Sequence, residues 1–134
     1  MVNKEVAIND INDWLDAKKV SQKKRATQVE QIENLVSEVE EGNLAYDSDS
    51  KVLSYKLKFP LEDESGSYTL SNLDFKYRLT SNDLAPYLKG VKPTDADGRL
   101  AAYICALTGK AGGYIKKLDT EDLSVAQSIA VFFL

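Results

Sequence analysis

The residues whose types and spacing could support chemistry are few. Asp119 and Asp122 could form an acid pair. Gly109-Lys110-Ala111-Gly112-Gly113 has the glycine density of a phosphate loop, and Asp47-Ser48-Asp49-Ser50-Lys51 has a faint likeness to a calcium loop. Each has a plainer explanation. The glycine run lacks Walker spacing, has no Ser or Thr after its lysine, and follows a helical segment rather than a strand. The aspartate run lacks the glycine and the distal bidentate glutamate that a calcium loop needs. Asp119 and Asp122 are explained by the capping of a final helix, as N-cap and third residue.

What is missing narrows the chemistry further. The chain contains no histidine and one cysteine, Cys105. A catalytic triad, a cysteine–histidine pair, a histidine-ligated metal and a multi-thiolate zinc site are therefore excluded. The reading is a protein that is not an enzyme and takes no metal, nucleotide or organic cofactor.

Two basic groupings remain. Residues 18–25 read Lys-Lys-Val-Ser-Gln-Lys-Lys-Arg, and Lys56, Lys58, Lys76 and Arg78 would share the polar face of a hairpin as a basic surface. The first lacks interleaved aromatics and is read as a solvated helix junction. The second is read as lysine placed to deter edge pairing.

The elements that must position these residues follow from hydrophobic period. Ile8, Ile11, Trp14 and Leu15 recur at helical spacing and predict a helix over residues 6–20. Beyond the basic stretch, Val29, Ile32, Leu35, Val36 and Val39 predict a longer helix to about Glu41, with glutamates opposite and Gly42 as its C-terminal cap. The period then changes to two. Leu53, Tyr55, Leu57 and Phe59 predict a strand that Pro60 ends. Residues 68–79 predict a second strand, with a bulge near Asn72 where the phase slips. An antiparallel hairpin results, and residues 44–46 offer a third strand. Asp83 is expected to cap a short helix with Pro86 in its first turn and Gly90 after its end. Thr94 is expected to cap a central helix, apolar all round, that carries Leu100, Tyr103, Ile104 and Leu107. Asp119 caps the last helix. The fold class is α+β: an N-terminal helical pair, the hairpin, and a C-terminal helical cluster, in one domain over residues 1–134, with residues 1–50 as an N-terminal helical extension.

The last helix is the most suggestive element. Leu123, Val125, Ala126, Ile129, Ala130, Phe132, Phe133 and Leu134 cover more than half of its circumference, whereas a surface helix needs an apolar stripe of roughly 100°. The excess must be buried twice within the fold or left for a partner. Leu123, Ile129, Phe132 and Phe133 are accordingly the candidate partner-binding residues, against the plainer reading that both rings are core.

From about residue 55 onward the chain resembles the tail assembly chaperones of long-tailed bacteriophages. The resemblance is carried by Phe59-Pro60, then Thr80-Ser81-Asn82-Asp83-Leu84, then a helix closing on Leu107-Thr108-Gly109, then Leu118-Asp119 with Asp122, and a last helix ending in Phe133-Leu134. Each piece is short, and the ordered set covers about 80 residues. The long N-terminal helices depart from the pattern. The resemblance implies a protein that binds the tape measure protein, a very long helical client, keeps it soluble while tail tube subunits assemble around it, and leaves before the tail is finished. It also implies that no nucleotide is used, and that a frameshifted longer product is an option at this end.

Composition agrees with such a role. The net charge of −4 gives no overall pull toward nucleic acid or membrane, and no apolar run approaches the ~20 residues of a membrane span. The expected location is the bacterial host cytoplasm, with the tape measure protein as partner, the tail tube protein as a second, and homo-oligomerisation left open. Two other classes compete: a structural virion or adaptor protein that stays in its assembly, and a small nucleic-acid-binding regulator using the lysine-rich sheet face.

Overall fold

A computed structural model describes residues 2–134. The first helix, α1 (Lys4–Ala17), is capped by Asn3, whose side chain accepts from Val6 N at 2.9 Å, and it buries Ala7, Ile11, Trp14 and Leu15. A short helix follows within the basic stretch, α2 (Gln22–Thr27), capped by Ser21. Gln28, at φ −114° and ψ 30°, leaves helical geometry, so α3 (Val29–Glu40) starts afresh. The second predicted helix is thus real but is preceded by a turn of helix that the charge run concealed. Three acids crowd the end of α3, yet the end is held. Gly42, at φ 82°, lets its own N–H reach Val39 O and the N–H of Asn43 reach Glu38 O, and Val2 N donates to Glu40 O.

Three strands follow: β1 (Leu44–Asp47), β2 (Val52–Glu62) and β3 (Tyr68–Phe75), antiparallel in the order β1-β2-β3. Leu44 faces Tyr55 and Tyr46 faces Leu53 on one side, while Leu53 faces Phe75 and Tyr55 faces Leu73 on the other. The period-two pattern places Leu53, Tyr55 and Leu57 in the core and leaves Lys56 outside.

The irregularity lies on β2, not near Asn72 of β3. Register passes from Lys56 opposite Asn72 to Leu61 opposite Leu70, five steps along β2 against two along β3. Pro60 sits inside this bulge, where its missing N–H breaks no ladder bond, and the strand continues beyond it. The other end of β3 also differs from expectation. Lys76 N donates to Leu107 O instead of to a strand, so the chain leaves the sheet at Phe75, short of Leu79.

The C-terminal cluster comprises α4 (Ser81–Leu88), α5 (Ala96–Thr108), α6 (Gly112–Lys116) and α7 (Thr120–Ala130), which ends in a 3-10 turn (Val131–Phe133). Two expected caps move. Thr80 caps α4 in a reciprocal box with Asp83, which puts Pro86 well inside the helix, and Asp95 rather than Thr94 caps α5 by accepting from Gly98 N at 2.9 Å. As predicted, α5 is central. It buries Ala102, Ile104, Cys105, Ala106 and Leu107 and packs on α4, α6, α7 and β3.

Burial also corrects the notion of an N-terminal extension. Trp14 of α1 is fully buried and meets Phe132 edge-on, with ring centroids 5.6 Å apart at 85°, and α3 packs along α7. One apolar cluster runs from Ala7 through the sheet to Phe132. The first helices are part of the core that the last helix completes.

Candidate functional site

Three places in the fold gather side chains in ways that bear on function: a buried carboxylate at the β2 bulge, a groove between α1 and α3, and a cleft beside the end of α7.

Asp122 is wholly buried and does not serve as a cap. Its Oδ1 accepts from the Tyr55 hydroxyl at 2.7 Å and from Lys58 N at 2.9 Å, and its Oδ2 accepts from Phe59 N at 3.0 Å. Capping of α7 falls to Asp119 alone, which accepts from Glu121 N at 2.9 Å. The two acids therefore do not work as a pair. Asp122 replaces the ladder partners that the bulge takes away from β2. Burial, and then the bond to Asp122, push the Tyr55 phenol far above its ordinary range. Glu38 of α3, expected on the solvated face, is also buried. It pairs with Lys58 at 3.0 Å, a contact that raises the pKa of Lys58.

That pairing removes one member of the expected basic surface. Lys58 bends to Glu38, Lys56 stands opposite Asn72, and Lys76 and Arg78 lie beyond the end of β3. The four cations do not form one sheet face, because β3 stops before the last two.

The expected partner surface on the last helix is corrected as well. Ile129 is 0% exposed and Phe132 3%, so both are core, while Leu123 and Phe133 are half-buried. The over-wide apolar arc of α7 is covered by α3 on one side and α5 on the other, and Phe132 is covered by Trp14. Double burial, the other outcome allowed by the wide arc, accounts for most of it.

Exposed apolar surface appears instead at the N-terminal helices. A groove of about 500 Å³ lies between α1 and α3, lined by Ile8, Asn12, Ile32, Val36 and Ser37, with Lys4, Glu33 and Glu40 at its rim. Ile8 is 39% exposed, and Val6 and Val29 nearby stand out further into solvent. Ile8, Val29 and Ile32 belong to the apolar stripes of the two helices. Nothing in the width of those stripes marks them as exceeding what the core takes; only burial separates Ile8 and Val29, left in solvent, from Ile11 and Leu35, which are covered.

The third place is a cleft of about 370 Å³ lined by Lys18, Tyr77, Arg78, Tyr103 and Phe133, among others. The Lys18 ammonium stands 3.2 Å from the centroid of the Phe133 ring. Burial, with repulsion from Lys24 second, brings its pKa down to about 8 from the ordinary 10.5. Between those values the unfolded chain holds a proton at this position that the folded chain has released. Stability contributed at Lys18 therefore rises with pH across that window. Cys105 and Tyr55, both shifted upward, act in the opposite sense at their own pH ranges. The expected result is thus a difference: between about pH 7.5 and pH 10, the stability of the native protein rises relative to that of Lys18→Met, as read from paired urea titrations. Parallel pH profiles for the two proteins would contradict this environment for Lys18.

Among the described residues no cluster of three or more acids or thiols could hold a metal ion, and no helix is long and apolar enough to cross a membrane. Comparison with protein-family models, curated proteins and solved structures gave no match for this chain.

Proposed function

We propose that this protein is a non-catalytic binding protein and, within that class, a tail assembly chaperone of a long-tailed bacteriophage that covers the tape measure protein before the tail tube forms. The observation that carries the binding reading is the α1–α3 groove. Its floor is Ile8, Ile32 and Val36, its rim is charged, and among the described residues no element lies in it. A single amphipathic helix is the chemistry that fits such a groove, laying residues at i, i+3/i+4 and i+7 onto the apolar floor. The groove follows α1 from Lys4 to Asn12, about 12 Å, enough to seat roughly two turns of a client. A long helical client needs a cover of this kind while it waits. The narrower assignment to tail assembly rests on the ordered resemblance from Phe59-Pro60 to Phe133-Leu134, and it carries with it a bacterial host cytoplasm, the tail tube protein as a second partner and no cofactor.

The test uses the groove. Ile8→Asp with Ile32→Asp should abolish binding of a tape measure segment in a titration and lower the melting temperature by no more than about 8 °C, since Ile8 is exposed and Ile32 only half-buried. Undiminished binding by the double variant would reject the groove as the client site. Purified phage particles should lack the protein; its presence there at stoichiometric amounts would favour a structural virion subunit.

A further inference from the structure

The cleft beside the end of α7 has a character the groove lacks: its charged wall is cationic. Lys18 reaches it from the end of α1, and Arg78 from the segment between β3 and α4. The ion pairs among the described residues are Arg25–Asp16 and Lys58–Glu38, so neither of these two cations has a carboxylate partner. Lys18 is also partly withdrawn from water, lying over Phe133 with Lys24 close enough to repel it. The Phe133 face compensates a partly desolvated ammonium only in part, and an anion in the cleft would complete it. Rings stand beside the charges. Tyr77, Tyr103 and Phe133 line the same space, and Tyr77 and Tyr103 are only half-buried.

We propose that this cleft binds a phosphate monoester carried on a planar ring, the chemistry of a nucleoside monophosphate. The guanidinium of Arg78 offers two parallel N–H donors to phosphate oxygens, and Lys18 adds a point charge. The tyrosine rings offer flat apolar faces on which a base can lie. The volume of about 370 Å³ sits at the small end of the range that small-ligand sites occupy, roughly 300–1,000 Å³, and suits a ligand with one phosphate. The site is separate from the α1–α3 groove and does not depend on the client reading. It also goes against the expectation from the sequence that no nucleotide binds, which rests on the missing histidine, the single cysteine and the family resemblance, none of which bears on this arrangement.

Binding should depend on pH through Lys18. The charged and titratable groups around it are Lys24 from α2, which also donates to the terminal Leu134 O, Arg78 and the Tyr77 phenol from the segment after β3, and Tyr103 from α5. Asp83 stands at the start of α4, where Thr80 N donates to its carboxylate at 3.3 Å. With its pKa brought down to about 8, Lys18 gives up its charge as pH rises past that value, and affinity falls with it.

The experiment is a calorimetric titration of the full chain with adenosine monophosphate, with adenosine, ribose 5-phosphate, inorganic phosphate and a single-stranded oligonucleotide as separate arms. The nucleotide should bind in the submillimolar range at about pH 7, and each partial ligand at least tenfold more weakly. Lys18→Met and Arg78→Met should each weaken it at least tenfold, while Lys110→Met should not. A second readout needs no variant: the nucleotide should raise the pKa of Lys18, followed by NMR of its side chain, by at least one unit. No heat and no shift with about 5 mM nucleotide would overturn the proposal. So would inorganic phosphate binding as tightly as the nucleotide, or binding confined to the oligonucleotide.

Discussion

Asp122→Ala is expected to destabilise the protein by about 3–5 kcal/mol, among the largest effects any single change here should produce. The carboxylate is wholly buried and takes three hydrogen bonds, from the Tyr55 hydroxyl, Lys58 N and Phe59 N. Alanine removes the acceptor and keeps the donors, and each buried donor left without a partner costs about 1–3 kcal/mol, less where water can enter. The two backbone donors belong to the β2 bulge, so the damage reaches register as well as energy. Asp122→Asn should fall between the native protein and the alanine variant. Its amide oxygen can still serve the Tyr55 hydroxyl and Lys58 N, but its NH₂ then faces Phe59 N, donor against donor. Tyr55→Phe should cost about 1–2 kcal/mol and be strongly non-additive with Asp122→Ala, because the two remove the same bond. The nearby Lys58–Glu38 pair should matter less, since the Lys58 side chain keeps 31% of its surface in water, where solvent screens the pair, although Glu38 at 10% makes it more than a surface pair. Urea denaturation followed by the fluorescence of Trp14, the single tryptophan, measures all of these. A loss below about 1 kcal/mol for Asp122→Ala would mean that the bulge is held by something other than this carboxylate.

The same residue shows where the sequence is legible and where it is not. The alternation through Leu53, Tyr55 and Leu57, and again at Leu73 and Phe75, dictates half-buried strands, because period two has no other physical reading at that length. The central position of α5 follows from a helix with apolar residues on every side. The role of Asp122 could not be read in the same way. Its spacing from Asp119 is that of a helix cap, and the demand that buries it lies 63 residues away, in the unpaired N–H of Phe59. The bulge was misplaced for a related reason. A slipped register disturbs the pattern of both strands, and the visible phase change at Leu70 and Leu73 does not say which strand holds the extra residues. Pro60 has the look of a strand end, and in the folded chain it marks the bulge. The basic surface failed because an alternating pattern was extended past Phe75, where Lys76 N turns to Leu107 O. The stripes of α1 and α3 are legible as helix faces but not as a site, because a wheel diagram cannot tell which residues of a stripe other elements will cover. The cationic cleft draws on Lys18, Arg78 and Phe133, which lie far apart in sequence, and nothing local announces their meeting.

Phe132→Ala and Phe133→Ala should part company, although the residues are adjacent and chemically identical. Phe132 is 3% exposed and packs edge-on against Trp14. Its truncation opens a cavity at the point where α1 meets the end of α7, and a loss of about 3–5 kcal/mol is expected, with a red shift of Trp14 emission as water gains access. Phe133 is half-buried, tilted at 6.4 Å from Trp14, with Lys18 over its ring. Less area is withdrawn from water there, and about 1–2 kcal/mol is the expected loss. Its removal has a second consequence that Phe132→Ala lacks. Burial is the first cause of the lowered pKa of Lys18, so uncovering the ammonium should move that pKa from about 8 back toward 10.5. The pH-dependent gain in stability assigned to Lys18 should then shrink in Phe133→Ala and persist in Phe132→Ala. Changing both rings at once would merge a core lesion with a surface one and hide this separation. If instead Phe132→Ala stayed within about 0.5 kcal/mol of the native protein, the last turn would not be seated on Trp14, and the apolar end of α7 would again be open to a partner. The same outcome would remove Phe133 from the wall of the cationic cleft, so one pair of variants tests both the closure of the core and the surroundings of Lys18.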